Sequence, residues 1–167
     1  MIAAPSSHDI CQFDIPEGLI KIPVEIDVNA YEADIQIWND EVEQLPGILS
    51  KATWITCRQA SPHQDAEYIG MKTITLAVLA DHSFGEISGP GTFKQHSVFK
   101  GSLFVVNNRA LHWLSAHNLE TTCGFIGLQW NVEEQHAEAE FARIRSALSE
   151  LMPIRATYPA EGKNTLI

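Results

Sequence analysis

The sequence has few basic side chains. It contains 11 Lys and Arg against 21 Asp and Glu in 167 residues, which gives a formal net charge of −10. No segment concentrates Lys and Arg. Nucleic-acid backbones and anionic membrane surfaces are bound through clustered positive charge, so the composition argues against both as main partners. We expect a small-molecule or protein substrate instead, and a homo-oligomer is compatible with this composition.

Cysteines and long apolar runs are also scarce. The three cysteines, Cys11, Cys57 and Cys123, are far apart and form no Cys-x-x-Cys motif, so neither a zinc knuckle nor a disulfide framework is indicated. No run approaches the ~18 apolar residues that a membrane helix needs. The N-terminus lacks the basic and apolar segments that are typical of a secretion signal. We therefore expect reduced thiols in a cytoplasmic protein.

The remaining composition is that of a globular chain. Hydrophobic residues make up 45% and charged residues 19%, which predicts a single domain over residues 1–167 with a substantial core. Between residues 52 and 131, short segments rich in Val, Ile, Phe, Trp and Thr alternate with turn residues. These segments predict strands at 52–57, 73–80, 97–99, 102–106 and 124–130. Strands at such spacing favour a sandwich or a barrel.

The two ends of the chain have a different pattern. Within residues 1–51 we expect an edge strand near the proline-interrupted segment 19–24, followed by a helix over 30–44 that ends at Pro46-Gly47. An apolar stripe predicts a second helix over 133–151, within the C-terminal region 132–152, and the tail 153–167 reads as loosely ordered. The fold class is therefore α+β, mostly β, with a helix flanking the core at each end.

One polar segment stands out against this background. His63 and Asp65 are separated by one residue, so on an extended chain both side chains point to the same side. His112 follows a glycine-led apolar strand and a polar Asn-Asn break. If His112 folds back onto His63 and Asp65, two imidazoles and one carboxylate can bind Fe(II) on one face and leave other positions open. The alternative is that His63 and Asp65 form a solvated turn and that His112 is a histidine at the edge of the core.

The order of these features resembles that of the Fe(II)/2-oxoglutarate-dependent dioxygenases, including the jumonji-like and prolyl-hydroxylase-like branches. TITLAVLADHSFGEI is similar to the strand, loop and turn after the first two ligands. GSLFVVNNRALHWL is similar to the strand that delivers the second histidine, and GFIGLQW to the strand that closes the core. The resemblance spans residues 52–131. It implies a double-stranded β-helix (a jelly-roll or cupin-like barrel), with His63, Asp65 and His112 as metal ligands and catalytic residues.

The resemblance also implies 2-oxoglutarate as cosubstrate, whose oxidative decarboxylation is coupled to hydroxylation of an organic substrate. Most of these enzymes hold the distal carboxylate with an arginine shortly after the second histidine, but residues 121–123 here are Thr-Thr-Cys. The jumonji-like branch uses a lysine on the strand after His-x-Asp, and Lys72 occupies a comparable place. Tyr68 would donate a second hydrogen bond, and Arg58 is the other cation near this region.

Several alternatives stay open at the sequence level. His117 competes with His112 as the third ligand, whereas His82 and His96 are expected to be exposed. A cupin fits residues 101–112, but its first motif requires a His-x-His that this chain lacks, which disfavours a cupin metal site and leaves a metal-free cupin barrel that binds a small molecule open. A jelly-roll binding or assembly module with no catalytic role, in which the histidines are incidental, is the non-enzymatic alternative.

Overall fold

Two antiparallel β-sheets dominate the structure. The computed structural model describes residues 9–23, 36–38, 42–120, 124–159 and 161–164. The larger sheet has the spatial order β11 (Ile154–Pro159), β1 (Asp9–Phe13), β8 (Ser102–Asn107), β5 (Met71–Leu79), β10 (Phe125–Glu133), β3 (Thr53–Cys57) and β2 (Gln36–Trp38). The smaller sheet has the order β12 (Glu161–Asn164), β7 (Thr92–Phe99), β6 (Asp81–Gly89), β9 (His112–Ala116) and β4 (Ala60–His63).

The two sheets pack face to face. One apolar cluster draws on both of them, with Ala77 and Phe104 from the larger sheet and Phe84, Val98 and Leu114 from the smaller. Adjacent strands within each sheet are antiparallel throughout the described residues. Over the described part of the chain the two sheets remain separate and do not close into a barrel, so the architecture is a β-sandwich.

The outer face of the larger sheet carries a second apolar cluster. Helix α1 (Ala137–Ser149) covers it through Phe141, Ile144 and Leu148, which are almost completely buried. Strand β5 is consequently buried on both faces. Ile74 and Leu76 join this outer core, while the alternate side chains face the smaller sheet. None of the helices among the described residues is long and apolar enough to cross a membrane.

The structure has a strand at each segment predicted between residues 52 and 131. The ends shift by up to three residues in four of them, and β7 begins five residues before the predicted segment 97–99. Strands β4, β6 and β9 were not predicted. The structure confirms the C-terminal helix, which begins later than expected, after a short 3-10 turn at Glu134–His136.

The predictions for the two ends of the chain were less successful. Residues 19–23 form turn and coil, and the N-terminal strand is β1. Where it is described, the segment predicted as helix 30–44 contains β2 and a 3-10 turn at Val42–Gln44, and the rest of it lies outside the described residues. The tail was expected to be loosely ordered but forms β11 and β12. Strand β11 pairs with β1, a long-range contact that local sequence patterns do not encode.

Candidate metal centre

His63, Asp65 and His112 meet at the edge of the smaller sheet. Strand β4 ends at His63 and β9 begins at His112, and the two residues are cross-strand partners with ring centroids 4.5 Å apart. Asp65 follows β4. Its Oδ2 lies 3.1 Å from Nε2 of His112, and its Oδ1 lies 3.5 Å from Nε2 of His63. The structure thus brings together three residues whose ligand atoms all lie within 4.8 Å of one another.

Both imidazoles are oriented by backbone carbonyls. Nδ1 of His63 lies 2.6 Å from the carbonyl oxygen of Ser61, and Nδ1 of His112 lies 2.9 Å from that of Ala110. An Nδ1–H that donates to a carbonyl leaves the Nε2 lone pair of a neutral ring free. In both rings Nε2 faces Asp65. This is the arrangement by which proteins orient histidines as metal ligands.

The donor atoms have the chemistry and spacing that a divalent ion requires. Three donors placed about 2.1 Å from one ion and at right angles to each other would be about 3.0 Å apart. The two N–O distances, 3.1 Å from His112 to Oδ2 and 3.5 Å from His63 to Oδ1, are close to that spacing, and they involve the two different oxygens of the Asp65 carboxylate. Two imidazoles and one carboxylate are the ligand set of non-haem Fe(II) centres that keep open positions. The residues therefore fit a mononuclear metal site.

The electrostatics of the site also favour positive charge. Burial of the His112 ring opposes its protonation, but the hydrogen bond to Asp65, with smaller contributions from Ala110 and Glu86, outweighs burial and raises the pKa of His112. The hydrogen bond from His112 in turn holds the pKa of Asp65 below its usual value. A cation beside Asp65 is therefore stabilised, whether it is a proton or a metal ion.

The segment that carries Asp65 is tied to the loop before β9. The backbone N–H of Asp65 donates to the carbonyl of Asn108 (3.3 Å), and the Gln64 side chain donates to the carbonyl of Arg109 (2.5 Å). Asn108 is fully buried, and its side-chain amide donates to the carbonyl of Met71 (2.9 Å). These bonds connect both halves of the site to the larger sheet.

The triad borders a cavity of about 260 Å³ between the two sheets. Its lining residues come from both sheets and from the turn that carries Asp65. They are Thr53, Ile55, Cys57, Ala60, His63, Asp65, Tyr68, Thr73, Thr75, Phe84, Phe104, Val106, His112, Trp113, Leu114, Phe125, Gln129 and Asn131. None of these described lining residues is Lys or Arg. An apolar cavity with a few convergent polar groups is typical of a small-molecule site.

Neutral polar side chains line the larger-sheet side of this cavity. Gln129 of β10 is in register with Thr53 on one side and with Thr75 on the other, and its Nε2 donates to the Thr75 hydroxyl (3.2 Å). One step along the sheet, the Thr73 hydroxyl donates to the side-chain oxygen of Asn131 (2.8 Å). This cavity wall therefore offers hydrogen bonds without charge.

The two residues predicted to bind 2-oxoglutarate lie in different places. Tyr68 lines the triad cavity. Lys72 is absent from that lining and instead borders a second cavity together with Glu86 and Lys94. Lys72 and Thr73 are consecutive on β5, so their side chains point to opposite faces of the sheet, and that of Thr73 faces the triad cavity. The structure therefore does not bring Lys72 to the triad.

Two aromatic rings border both cavities. Phe84 and Phe104 line each of them, with ring centroids 5.1 Å apart. The His96 ring packs 5.4 Å from each ring, on the side of the second cavity. Burial lowers the pKa of His96. The partly buried position of this side chain differs from the exposed one that we expected.

The other candidate side chains serve structural roles. His82 was expected to be exposed but is completely buried: its Nδ1 accepts the backbone N–H of Asp81 (3.0 Å) and its Nε2 donates to the carbonyl of Arg58 (2.9 Å). The Arg58 side chain donates to the carbonyl of Leu119 and does not line the triad cavity. His117 pairs with Asp81 (2.7 Å), away from His63 and Asp65, so it is not the third member of the triad.

Apart from the triad and Tyr68, none of the polar residues that line the cavity was predicted from the sequence. For Thr73 and Thr75 a usable signal existed: they alternate with the apolar Ile74 and Leu76, as expected for a strand that presents two different faces. Asn108 gave no such signal because its role depends on contacts with a distant strand. Cys57 also lines the cavity, where burial raises the pKa of its thiol to about 12 and keeps it neutral.

Comparisons with known proteins do not identify a family. No protein-family model and no curated protein matches the sequence. Among solved structures, protein NMB1881 from Neisseria meningitidis is similar at 13% identity over 59% of this chain and 84% of its own, with a TM-score of 0.37. The plu4264 protein from Photorhabdus luminescens is similar at 14% identity over 78% and 99%, also with a TM-score of 0.37. Likenesses this distant carry no functional argument, so function must be inferred from the site itself.

Proposed function

We propose that this protein is a mononuclear Fe(II) oxygenase that uses a 2-oxo acid to hydroxylate a small-molecule or protein substrate. In the family that the sequence resembles, that acid is 2-oxoglutarate. The observation that carries the proposal is the convergence of His63, Asp65 and His112, with both imidazole Nε2 atoms directed at the carboxylate. This donor set is typical of non-haem Fe(II) centres with open positions for substrate and dioxygen.

The strand order supports a double-stranded β-helix as the fold behind this site. Strands β8-β5-β10-β3 form the centre of the larger sheet, and β7-β6-β9-β4 are neighbours in the smaller one. From β3 to β10 the chain passes back and forth between the two sheets, with only the β6–β7 hairpin staying within one sheet. Eight strands shared in this way between two four-stranded layers match a jelly roll.

Within this proposal the protein supplies position and environment. His63, Asp65 and His112 would hold the metal, and the carbonyls of Ser61 and Ala110 fix the two rings. Fe(II) bound there would supply the oxidative chemistry, in which decarboxylation of the 2-oxo acid by dioxygen is coupled to hydroxylation of a C–H bond. The apolar cavity walls exclude water from the reacting groups.

A second candidate is a cupin-like metal-binding or small-molecule-binding protein that does not use a 2-oxo acid. It is favoured by one observation: the described residues that line the triad cavity include no Lys or Arg for the distal carboxylate of 2-oxoglutarate. In its metal-binding form this candidate also predicts a metal at the triad, and it then differs from the first in that no 2-oxo acid chelates the metal.

The decisive experiment adds Fe(II) and then 2-oxo acids to the metal-free protein under anaerobic conditions. The acids are 2-oxoglutarate, its 5-amide 2-oxoglutaramate, and pyruvate. We expect a visible metal-to-ligand charge-transfer band with at least one acid, and decay of the band with release of CO2 when air is admitted. The band should be lost in His112→Ala and kept in His117→Ala, which removes a histidine that pairs with an aspartate outside the triad. Metal binding without a band from any acid would favour the cupin-like candidate.

A further inference from the structure

We infer that the 2-oxo acid bound at this site has an uncharged, hydrogen-bonding tail, such as a carboxamide or a hydroxyl, and is not a dicarboxylate. This inference rests on the proposed function and specifies the ligand class of the same cavity. It follows from two observations: the balance of charge in the cavity and the side chains on the wall opposite the triad.

The charge balance accommodates one carboxylate. A divalent ion and the Asp65 carboxylate together carry a net charge of +1, which the chelating carboxylate of a 2-oxo acid neutralises. A second carboxylate would enter a cavity whose described lining residues include no Lys or Arg. It would also lie among almost completely buried groups such as Thr75 and Phe104. A charge that loses its hydration without gaining a partner is strongly disfavoured.

The wall opposite the triad is suited to a neutral tail. Gln129 is partly buried and stands between Thr53 and Thr75. One N–H of its amide donates to Thr75, and among the described residues its Oε1 accepts no hydrogen bond. The Gln129 side chain can therefore both donate to and accept from an incoming group. A carboxamide or hydroxyl tail satisfies both capacities, whereas a carboxylate can only accept.

Two basic side chains of neighbouring strands border the other cavity. Lys72 and Lys94 line it together with Glu86, and Phe84 and Phe104 stand between the two cavities. A ligand chelated at the triad therefore does not share a cavity with either lysine. This placement removes the cation that the sequence resemblance had offered for a distal carboxylate.

The test compares two ligands of nearly identical shape. Metal-loaded protein, under anaerobic conditions with Fe(II), is titrated with 2-oxoglutarate and with 2-oxoglutaramate, which differ only in the tail carboxylate or carboxamide. The readout is the dissociation constant from the charge-transfer band, expressed for the open-chain form of each acid because 2-oxoglutaramate also exists in water as a cyclic hydroxylactam. We expect the amide to bind at least about tenfold more tightly. Equal or tighter binding of 2-oxoglutarate would overturn the inference and leave the proposed function standing.

Two variants test whether the wall that carries Gln129 sets the preference for the amide over 2-oxoglutarate. Gln129→Lys places a cation on the wall opposite the triad, and we expect it to reverse the preference toward 2-oxoglutarate. Lys72→Met is the matched control, because it removes a cation from the second cavity only, and its preference should equal that of the wild type. A loss of 2-oxoglutarate binding in Lys72→Met would contradict the inference.

The comparison of the two acids uses wild-type protein, so the test remains decisive even if the Gln129→Lys variant folds poorly. Metal binding with no detectable binding of either acid also overturns the inference, and the pyruvate titration then decides whether any 2-oxo acid binds at this site. Failure to bind metal would instead contradict the proposed function itself. The two failures are therefore distinguishable.

Discussion

His63 and His112 are directly opposed across strands β4 and β9, and both direct Nε2 at the carboxylate of Asp65. Each imidazole thus lies between two acceptors, a backbone carbonyl at Nδ1 and Asp65 at Nε2. A neutral ring carries one N–H and can satisfy only one of them. The other nitrogen of each ring interacts favourably with its acceptor only if it gains a proton or binds a metal ion. One metal ion between the two Nε2 atoms and the carboxylate would serve both rings at once.

Asn108 connects the segment of Asp65 to strand β5, and we expect its replacement to weaken both the fold and the metal site. Its buried side-chain amide donates to the Met71 carbonyl and to the Thr73 hydroxyl, and this fixes the backbone carbonyl of Asn108 that accepts the N–H of Asp65. Asn108→Leu leaves buried acceptors unsatisfied and should lower the free energy of unfolding by about 2 kcal/mol. Metal affinity should fall about tenfold.

These two quantities can be measured by urea unfolding of the metal-free protein and by metal titration. Gln135→Ala serves as a control because Gln135 is exposed and, among the described residues, its side chain is bonded only to that of Glu133. It should change the unfolding free energy by less than about 0.5 kcal/mol. If Asn108→Leu behaves like this control, Asn108 does not support the site.

Gly85 and Trp113 form a close contact that shapes the rim of the cavity. A Cβ atom on Gly85 would overlap the indole of Trp113, which lines the triad cavity. Gly85→Ala should therefore displace the indole and lower the unfolding free energy by about 1–3 kcal/mol. Gly89→Ala, on the same strand, places its Cβ 3.2 Å from the flexible Thr92 hydroxyl and should cost much less. Equal unfolding midpoints for the two variants would contradict the tight Gly85–Trp113 contact.

His82 should make stability depend on pH. Burial lowers the pKa of His82 in the folded protein, while in the unfolded chain its pKa is about 6.5. The unfolded state therefore binds more protons in this range, and His82 destabilises the fold as the pH falls below about 6.5.

The measurement is urea unfolding of the metal-free protein at pH 7.5 and pH 5.5. His82→Gln should be less stable than wild type at pH 7.5 by about 1–3 kcal/mol, because buried hydrogen bonds are lost. It should nevertheless lose less stability between the two pH values. His136→Gln, at an exposed position, should follow the wild-type pH dependence. A His82→Gln variant with the full wild-type loss would refute this role for His82.

Much of the β-core could be predicted because its strands are marked by local patterns. The segments that became β3, β5, β8 and β10 are rich in β-branched and aromatic residues and bounded by turns. The proximity of His63 and Asp65 followed from the period of two along an extended chain. His112 lies beside them because β4 pairs with β9, and only the resemblance suggested that His112 would be near them.

Lys72 was suggested by the resemblance and not by the alternation along β5; it borders the second cavity, whereas Thr73 and Thr75 of the same strand line the triad cavity. The predictions that failed concern residues whose partners are distant in the sequence. His82 was assumed to be exposed because it is polar and flanks a turn, yet two backbone partners satisfy its ring inside the core. The strands β11 and β12 depend on long-range pairing, which outweighs the weak local preferences of the tail.

The central claim is that His63, Asp65 and His112 bind one divalent metal ion through the two Nε2 atoms and the carboxylate. It is tested most directly by anaerobic calorimetric titration of Fe(II) into metal-free wild type, His112→Ala, Asp65→Ala and His117→Ala. We predict one site per chain in wild type and His117→Ala, and at least about a hundredfold weaker binding in the two triad variants. Equal affinity in all four proteins, or no binding by the wild type, would contradict the account.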